Sequence, residues 1–155
     1  MIASGSLDLA DADAAGQLGM ALASTLRVGD VVTLAGPLGA GKTTLARGIL
    51  AGLGLADEAP SPSFPLVIAY APPELAIPVW HVDLYRVDDA EELDELGLDD
   101  ARLEAALLVE WPERMGARAW PDALRLSLEE EPAGGRRLTW QASGSWEGRW
   151  PPVRS

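Results

Sequence analysis

The chain has 155 residues, 48% apolar and 23% charged, the balance of an ordinary globular protein, and enough for one domain with a single core. It contains no cysteine, which excludes disulfides, thiolate metal sites and a cysteine nucleophile. The formal net charge of −12 argues against holding nucleic acid unaided; it fits equally a chain kept soluble by charge and one that meets nucleic acid through a partner.

No basic stretch followed by an apolar core opens the chain, and no run approaches the roughly 18 apolar residues of a membrane helix. A cytoplasmic protein without membrane association is therefore expected. Residues 1–155 read as a single domain with a short flexible tail from about 151.

In chain order, Leu7 to Leu26 reads as a helix capped by Asp8 or Asp11, with Leu18, Leu22 and Leu26 on one face and Gly29 at its end. Asp30 to Ala35 is a short apolar, β-branched strand. Gly36-Pro37-Leu38-Gly39-Ala40-Gly41-Lys42-Thr43-Thr44 then fits the phosphate-loop pattern G-x-x-x-x-G-K-[ST] at every fixed position. Gly36, Gly39 and Gly41 allow a tight turn that brings backbone N–H groups against phosphate oxygens. Lys42 reaches the β- and γ-phosphates, and the Thr43 hydroxyl is a ligand for Mg²⁺. A helix follows, with Leu45, Ile49 and Leu53 on one face, so its N-terminus meets the same anion. Lys42 is the sole lysine among twelve basic residues, placed where a compact ammonium suits phosphate.

Ala59 to Pro65 is a stiff, proline-rich connector carrying Ser61 and Ser63; from its residues alone it reads as a loop into the strand Leu66 to Tyr70. Ala71 to Glu74 is a turn, and Ile77 to Arg86 a further strand with Pro78 at its start or on an edge. Asp83 ends an apolar stretch, where a nucleotide-binding sheet presents a carboxylate towards a metal. His81 is the only histidine, and a lone strand histidine reads as structural. Asp88 to Glu104 carries nine carboxylates and one base, Arg102; it reads as short helices with a solvated acidic side, or as a docking surface. Ala106 to Trp111 is a second strand ending in a carboxylate, Glu110, which competes with Asp83 for the metal-side role. Pro112 to Met115 is a turn or helix start. Leu124 to Leu128 and Arg137 to Ala142 alternate around Pro132 to Gly135, an antiparallel hairpin added to the sheet, and Trp146 and Trp150 are expected to cover an edge. The fold class is α/β: one P-loop NTPase domain, a mixed sheet with a C-terminal antiparallel hairpin, flanked by helices.

Four motifs in this order resemble one family, the small bacterial TsaE (YjeE) ATPases, which work in making N6-threonylcarbamoyladenosine in tRNA. The family runs G-[DE]-L-G-A-G-K-T-T, S-P-T-[FY], H-x-D-x-Y-R and E-W-P-E; here these stand as Gly36 to Thr44, Ser61 to Phe64, His81 to Arg86 and Glu110 to Glu113. The resemblance spans roughly Leu7 to Trp150. Pro37 replaces the usual acidic residue and Ser63 the usual threonine. The resemblance implies a Mg²⁺-dependent ATPase, slow alone, that acts with the TsaB–TsaD pair and meets tRNA only indirectly. It places ATP against Gly36, Leu38, Gly39, Ala40, Gly41, Lys42, Thr43 and Thr44, with Ser63 sensing the γ-phosphate. Asp83 and Glu110 divide metal support and orientation of the attacking water, in either assignment, beside Thr43. A small-molecule kinase and a non-catalytic nucleotide-gated docking protein are the alternatives. The acidic segment after Arg86 counts against the first, and intact Lys42, Thr43, Asp83 and Glu110 against the second.

Overall fold

Strands covered on both faces are apolar throughout, and strands covered on one face alternate. Val31–Ala35 and Ala106–Glu110 are of the first kind, Leu124–Glu130 and Arg136–Ala142 of the second. A computed structural model, which describes residues 3–37, 41–56 and 67–151, sorts them accordingly. In chain order the elements are β1 (Ala3–Leu9), α1 (Ala12–Ala23), β2 (Val31–Ala35), α2 (Lys42–Gly52), β3 (Val67–Tyr70) and β4 (Val79–Asp83). Then come α3 (Ala90–Leu96), α4 (Leu98–Ala101), β5 (Ala106–Glu110), a 3₁₀ stretch Pro112–Arg118, β6 (Leu124–Glu130) and β7 (Arg136–Ala142). One mixed sheet of the order β1-β7-β6-β2-β5-β4-β3 results. Its middle, β6-β2-β5-β4, is parallel; β3 on one flank and β7 and β1 on the other are antiparallel. The expected hairpin is β6–β7, paired from Arg125↔Gln141 to Glu130↔Arg136.

The expected helix from Leu7 to Leu26 is corrected at both ends. Residues 3–9 form an edge strand against β7, from Ala3↔Ala142 to Leu9↔Arg136. The helix begins only after Asp11, whose side chain accepts from the Ala14 amide at 2.9 Å. Leu7 and Leu9 stand two apart, the spacing of one strand face and not of one helix face, and the free edge of β7 gives that strand its partner. The strand expected through Arg86 stops at Asp83, because Asp83 Oδ1 accepts from the Tyr85 amide at 2.9 Å and turns the chain.

α1 and α2 cover one face of the sheet and meet almost backbone to backbone. A Cβ on Gly48 would lie 2.5 Å from the Gly16 carbonyl oxygen, and one on Gly19 2.6 Å from that of Leu45. Leu18, Leu22, Leu45, Ile49, Val32, Leu34, Leu108 and Leu126 fill the core beneath them. On the opposite face α3, α4, the 3₁₀ stretch and the Trp120 that follows it cover only the β2–β5–β4 half, packing Leu93, Leu98, Met115 and Trp120 against Val31, Val82, Leu107 and Val109.

Trp146 and Trp150 do not merely cover an edge: both are buried within the α1/α2-side core. The Trp146 indole N–H donates to the Asp122 carbonyl at 3.2 Å, and the Arg149 guanidinium lies 4.2 Å above its ring. Arg149 also makes a two-pronged pair with Asp30 at 2.6 and 3.0 Å, tying the C-terminal segment to the turn before β2. Residues beyond 151, the expected tail, lie outside the described residues. Among the described residues no helix is long and apolar enough to cross a membrane.

Candidate functional site

The parallel strands β2, β5 and β4 end on one edge at Ala35, Glu110 and Asp83, the edge where open α/β sheets present their loops. From Ala35 the chain enters the glycine loop through Gly36 (φ 138°) and leaves it through Gly41 (φ 103°), a left-handed conformation that admits glycine at little cost. Leu38, Gly39 and Ala40 lie outside the described residues, as do Ser61 to Phe64 and therefore Ser63. Lys42, Thr43 and Thr44 form the first turn of α2, whose leading amides have no partner within the helix.

Lys42 is 5% exposed. Its ammonium donates to the Gly36 carbonyl at 2.6 Å and sits 3.4 Å from the centroid of the Trp111 ring. Burial holds Lys42 below the usual lysine range, with Glu110, Glu113 and Asp83 pulling the other way. Trp111 is the one non-glycine among the described residues with positive φ (61°). That conformation costs on the order of 1 kcal/mol or more. It directs the indole back over Lys42, and the Tyr85 ring supports it at 4.9 Å.

Asp83 and Glu110 are direct partners in the β4–β5 register, so both side chains leave the same face, and both are buried. Burial holds the Asp83 carboxyl above the usual carboxylate range. The Tyr85 amide opposes this, Glu110 adds to it, and Lys42 and His81 oppose it. A group whose folded value is raised destabilises the fold once ionised. That cost is absent below the ordinary value of 3.8 and develops as pH rises through the folded value. Asp83→Asn keeps the acceptor for Tyr85 and removes the charge. It should raise the melting temperature of the nucleotide-free chain at pH 7 by about 2–4 °C. The gain should vanish below about pH 4, as a scan across pH by circular dichroism would show.

His81, read from sequence as structural, lies one pleat below Asp83 on the same face. Its Nε2 is 2.7 Å from Glu110 Oε2, and the ring is wholly buried. Its position two residues before Asp83 is the spacing that puts two strand side chains on one face.

Two cavities open near this edge of the sheet. One of about 180 Å³ borders Gly41 and Thr44 and is lined by Ala10, Asp11, Ala12, Ala15 and Arg136. The larger, about 820 Å³, lies over β1, β7 and β6, lined by Ser4, Ser6, Arg125, Thr139 and Gln141. It touches neither Lys42 nor the paired carboxylates, so its size does not make it the candidate site.

Comparison with known proteins bears directly on this arrangement. The family model "Threonylcarbamoyl adenosine biosynthesis protein TsaE" matches residues 9–138. The tRNA threonylcarbamoyladenosine biosynthesis protein TsaE of Streptomyces coelicolor is 43% identical over 116 residues, 73% of this chain and 77% of that one. Its namesake from Bacillus subtilis is 34% identical over 79% of this chain and 76% of that one. The crystal structure of Bacillus subtilis YdiB matches with a TM-score of 0.81, at 25% identity, over 96% of this chain and 93% of that one. With residues 9–138 matched by that family model and relatives at 34–43% identity over most of its length, this chain belongs to the TsaE family of tRNA threonylcarbamoyladenosine biosynthesis.

Proposed function

We propose that this chain is the Mg²⁺-dependent ATPase of the threonylcarbamoyladenosine machinery, working in the cytoplasm with TsaB and TsaD and meeting tRNA only through them. The observation that carries this reading is the convergence of Lys42, at the head of α2, with the register-paired Asp83 and Glu110 on one strand edge. Phosphoryl transfer asks a protein for positioning and charge neutralisation more than for covalent chemistry, and these residues supply both. Lys42 exchanges the Gly36 carbonyl for phosphate oxygens, and the amides that open α2 hold the same anion. The cavity beside Gly41 and Thr44 gives the nucleoside a place next to its phosphates.

The residues suit a hard cation: Asp83 and Glu110 offer carboxylate oxygens, Thr43 a hydroxyl, and a positive ion beside Asp83 offsets the burial that holds its carboxyl high. Bound there, Mg²⁺ neutralises charge on the phosphate oxygens. Of the two carboxylates, Glu110 is the one held by a second side chain, which favours it for orienting the attacking water and Asp83 for the metal. Water oxygen bonds to the γ-phosphorus, the bond from that phosphorus to the bridging oxygen breaks, ADP departs with that electron pair, and the water's proton is carried off by the product phosphate and solvent.

The test is ATP hydrolysis by the purified chain with and without the TsaB–TsaD pair, beside Lys42→Ala and Glu110→Ala. Turnover that rises with partners and disappears in both variants supports the reading. Tight binding without turnover under all conditions would make the chain a nucleotide-gated docking protein, and phosphorylation of a metabolite by the chain alone would make it a kinase.

For the partner surface, α3 and α4 turn Leu93 and Leu98 inward and leave Glu91, Glu95, Asp99 and Asp100 exposed. Complementary charge of this kind speeds and orients association. Reversing Glu91, Glu95 and Asp100 together to Lys should weaken association with TsaB–TsaD about tenfold, with ATP affinity unchanged. Titration at two salt concentrations would show it; unaltered association would move the interface elsewhere.

A further inference from the structure

We propose that His81 is a positioning residue for Glu110: its Nε2–H fixes one carboxylate oxygen inward so that the other faces the phosphates. The inference rests on the ATPase reading above.

The geometry is specific. The 2.7 Å contact between Nε2 and Glu110 Oε2 is assigned with the imidazole N–H as donor and the carboxylate oxygen as acceptor. His81 pairs with Leu108 in the β4–β5 register and Glu110 with Asp83, so the bond runs diagonally from one pleat deeper in the sheet. The anchored oxygen is thereby drawn towards the interior, and the edge is left to the other. The imidazole's remaining nitrogen, Nδ1, is buried with no hydrogen-bond partner. The ring, paired with Leu108 across the strands and wholly buried, therefore accepts the penalty of a buried polar nitrogen without a partner while making a single hydrogen bond to one carboxylate. An aliphatic residue would fill that space without the penalty, so packing alone does not account for a histidine here.

The anchor has a physical purpose. Glu110 has three rotatable side-chain bonds and shares a buried neighbourhood with the Lys42 ammonium, to which it is the leading attracting charge. Left unanchored, the carboxylate would swing onto the ammonium and neither group would keep the orientation that phosphate and water require. Lys42 is itself held by the Gly36 carbonyl and the Trp111 ring, so the two opposite charges are tethered separately. Reactive groups are kept in place by partners of this kind, and loss of one such partner changes activity about 10- to 100-fold.

The test compares His81→Gln with His81→Asn in the full chain together with TsaB–TsaD. Both amides keep polarity and fold-compatible size, but the glutamine N–H reaches the position of Nε2 and the asparagine N–H only that of Nδ1. His81→Asn should lower kcat about 10- to 100-fold with the ATP Kd within about threefold of wild type. His81→Gln should recover most of the rate. Equal rates in His81→Gln and His81→Asn, or an ATP Kd that rises in His81→Asn as far as kcat falls, would overturn the role while leaving the ATPase reading intact. Absence of any turnover by the wild-type chain with its partners would overturn both.

Discussion

Lys42→Ala is expected to weaken ATP binding about a hundred- to a thousand-fold and to abolish measurable hydrolysis, while shifting the nucleotide-free melting temperature by only a few degrees. The first part follows from charge-assisted hydrogen bonds to phosphate, each worth roughly 1.5–3 kcal/mol, with no other lysine in the chain to replace them. The second follows from opposing contributions at the apo site. Burial disfavours the ammonium, whereas Glu110, Glu113 and Asp83 favour it, and its hydrogen bond to Gly36 and contact with Trp111 are local. Removing the charge therefore relieves one cost and removes one gain of similar kind. Titration with a fluorescent ATP analogue and calorimetry of the apo chain read the two effects separately. A fall of more than about 10 °C in the melting temperature would instead make Lys42 chiefly a structural residue.

Gly48→Val is expected to cost about 3–4 kcal/mol, lowering the melting temperature by roughly 6–16 °C. The new Cβ would stand 2.5 Å from the Gly16 carbonyl oxygen and 3.0 Å from Gly16 Cα, both backbone atoms that no rotamer change can move. The helices must separate, which loosens Leu18, Leu22, Leu45 and Ile49 at once. Since α2 begins at Lys42, the same displacement should weaken nucleotide binding from a position a full turn and more away from the phosphates. Gly16→Ala is the internal control. Its Cβ would meet nothing within 4 Å, so the gain in helix propensity should raise stability by about 1 kcal/mol. Thermal melts of the two variants, side by side, distinguish helix contact from general glycine loss; equal destabilisation by both would refute the contact.

Much of the parallel core and part of the candidate site were legible from local pattern. Continuous apolar runs identified Val31–Ala35 and Ala106–Glu110, period-two alternation identified the β6–β7 hairpin, and glycine spacing placed Lys42 at the start of a helix. Asp83 and Glu110 were singled out because each carboxylate closes an apolar strand, and the register brings them side by side.

Other features depend on neighbours distant in the chain. Whether residues 3–9 are helix or strand is decided by the open edge of β7, some 130 residues later, because backbone pairing is worth more than a weak local preference. Trp146 and Trp150 are buried because α1 and the sheet leave room for them, which composition near the C-terminus does not encode. The glycines of α1 and α2 look like weak helix positions until the crossing shows that a side chain would have no space. The division between His81 and Asp83 is of the same kind. Alternation put both on one face, but only the diagonal reach across β4 and β5 gives the histidine Glu110 for a partner. Sequence by itself determined which residue types stand at the sheet edge, because loop, strand and cap chemistry are local. Tertiary structure decided which of them touch, because hydrogen bonds and close packing depend on distances that only the folded chain sets.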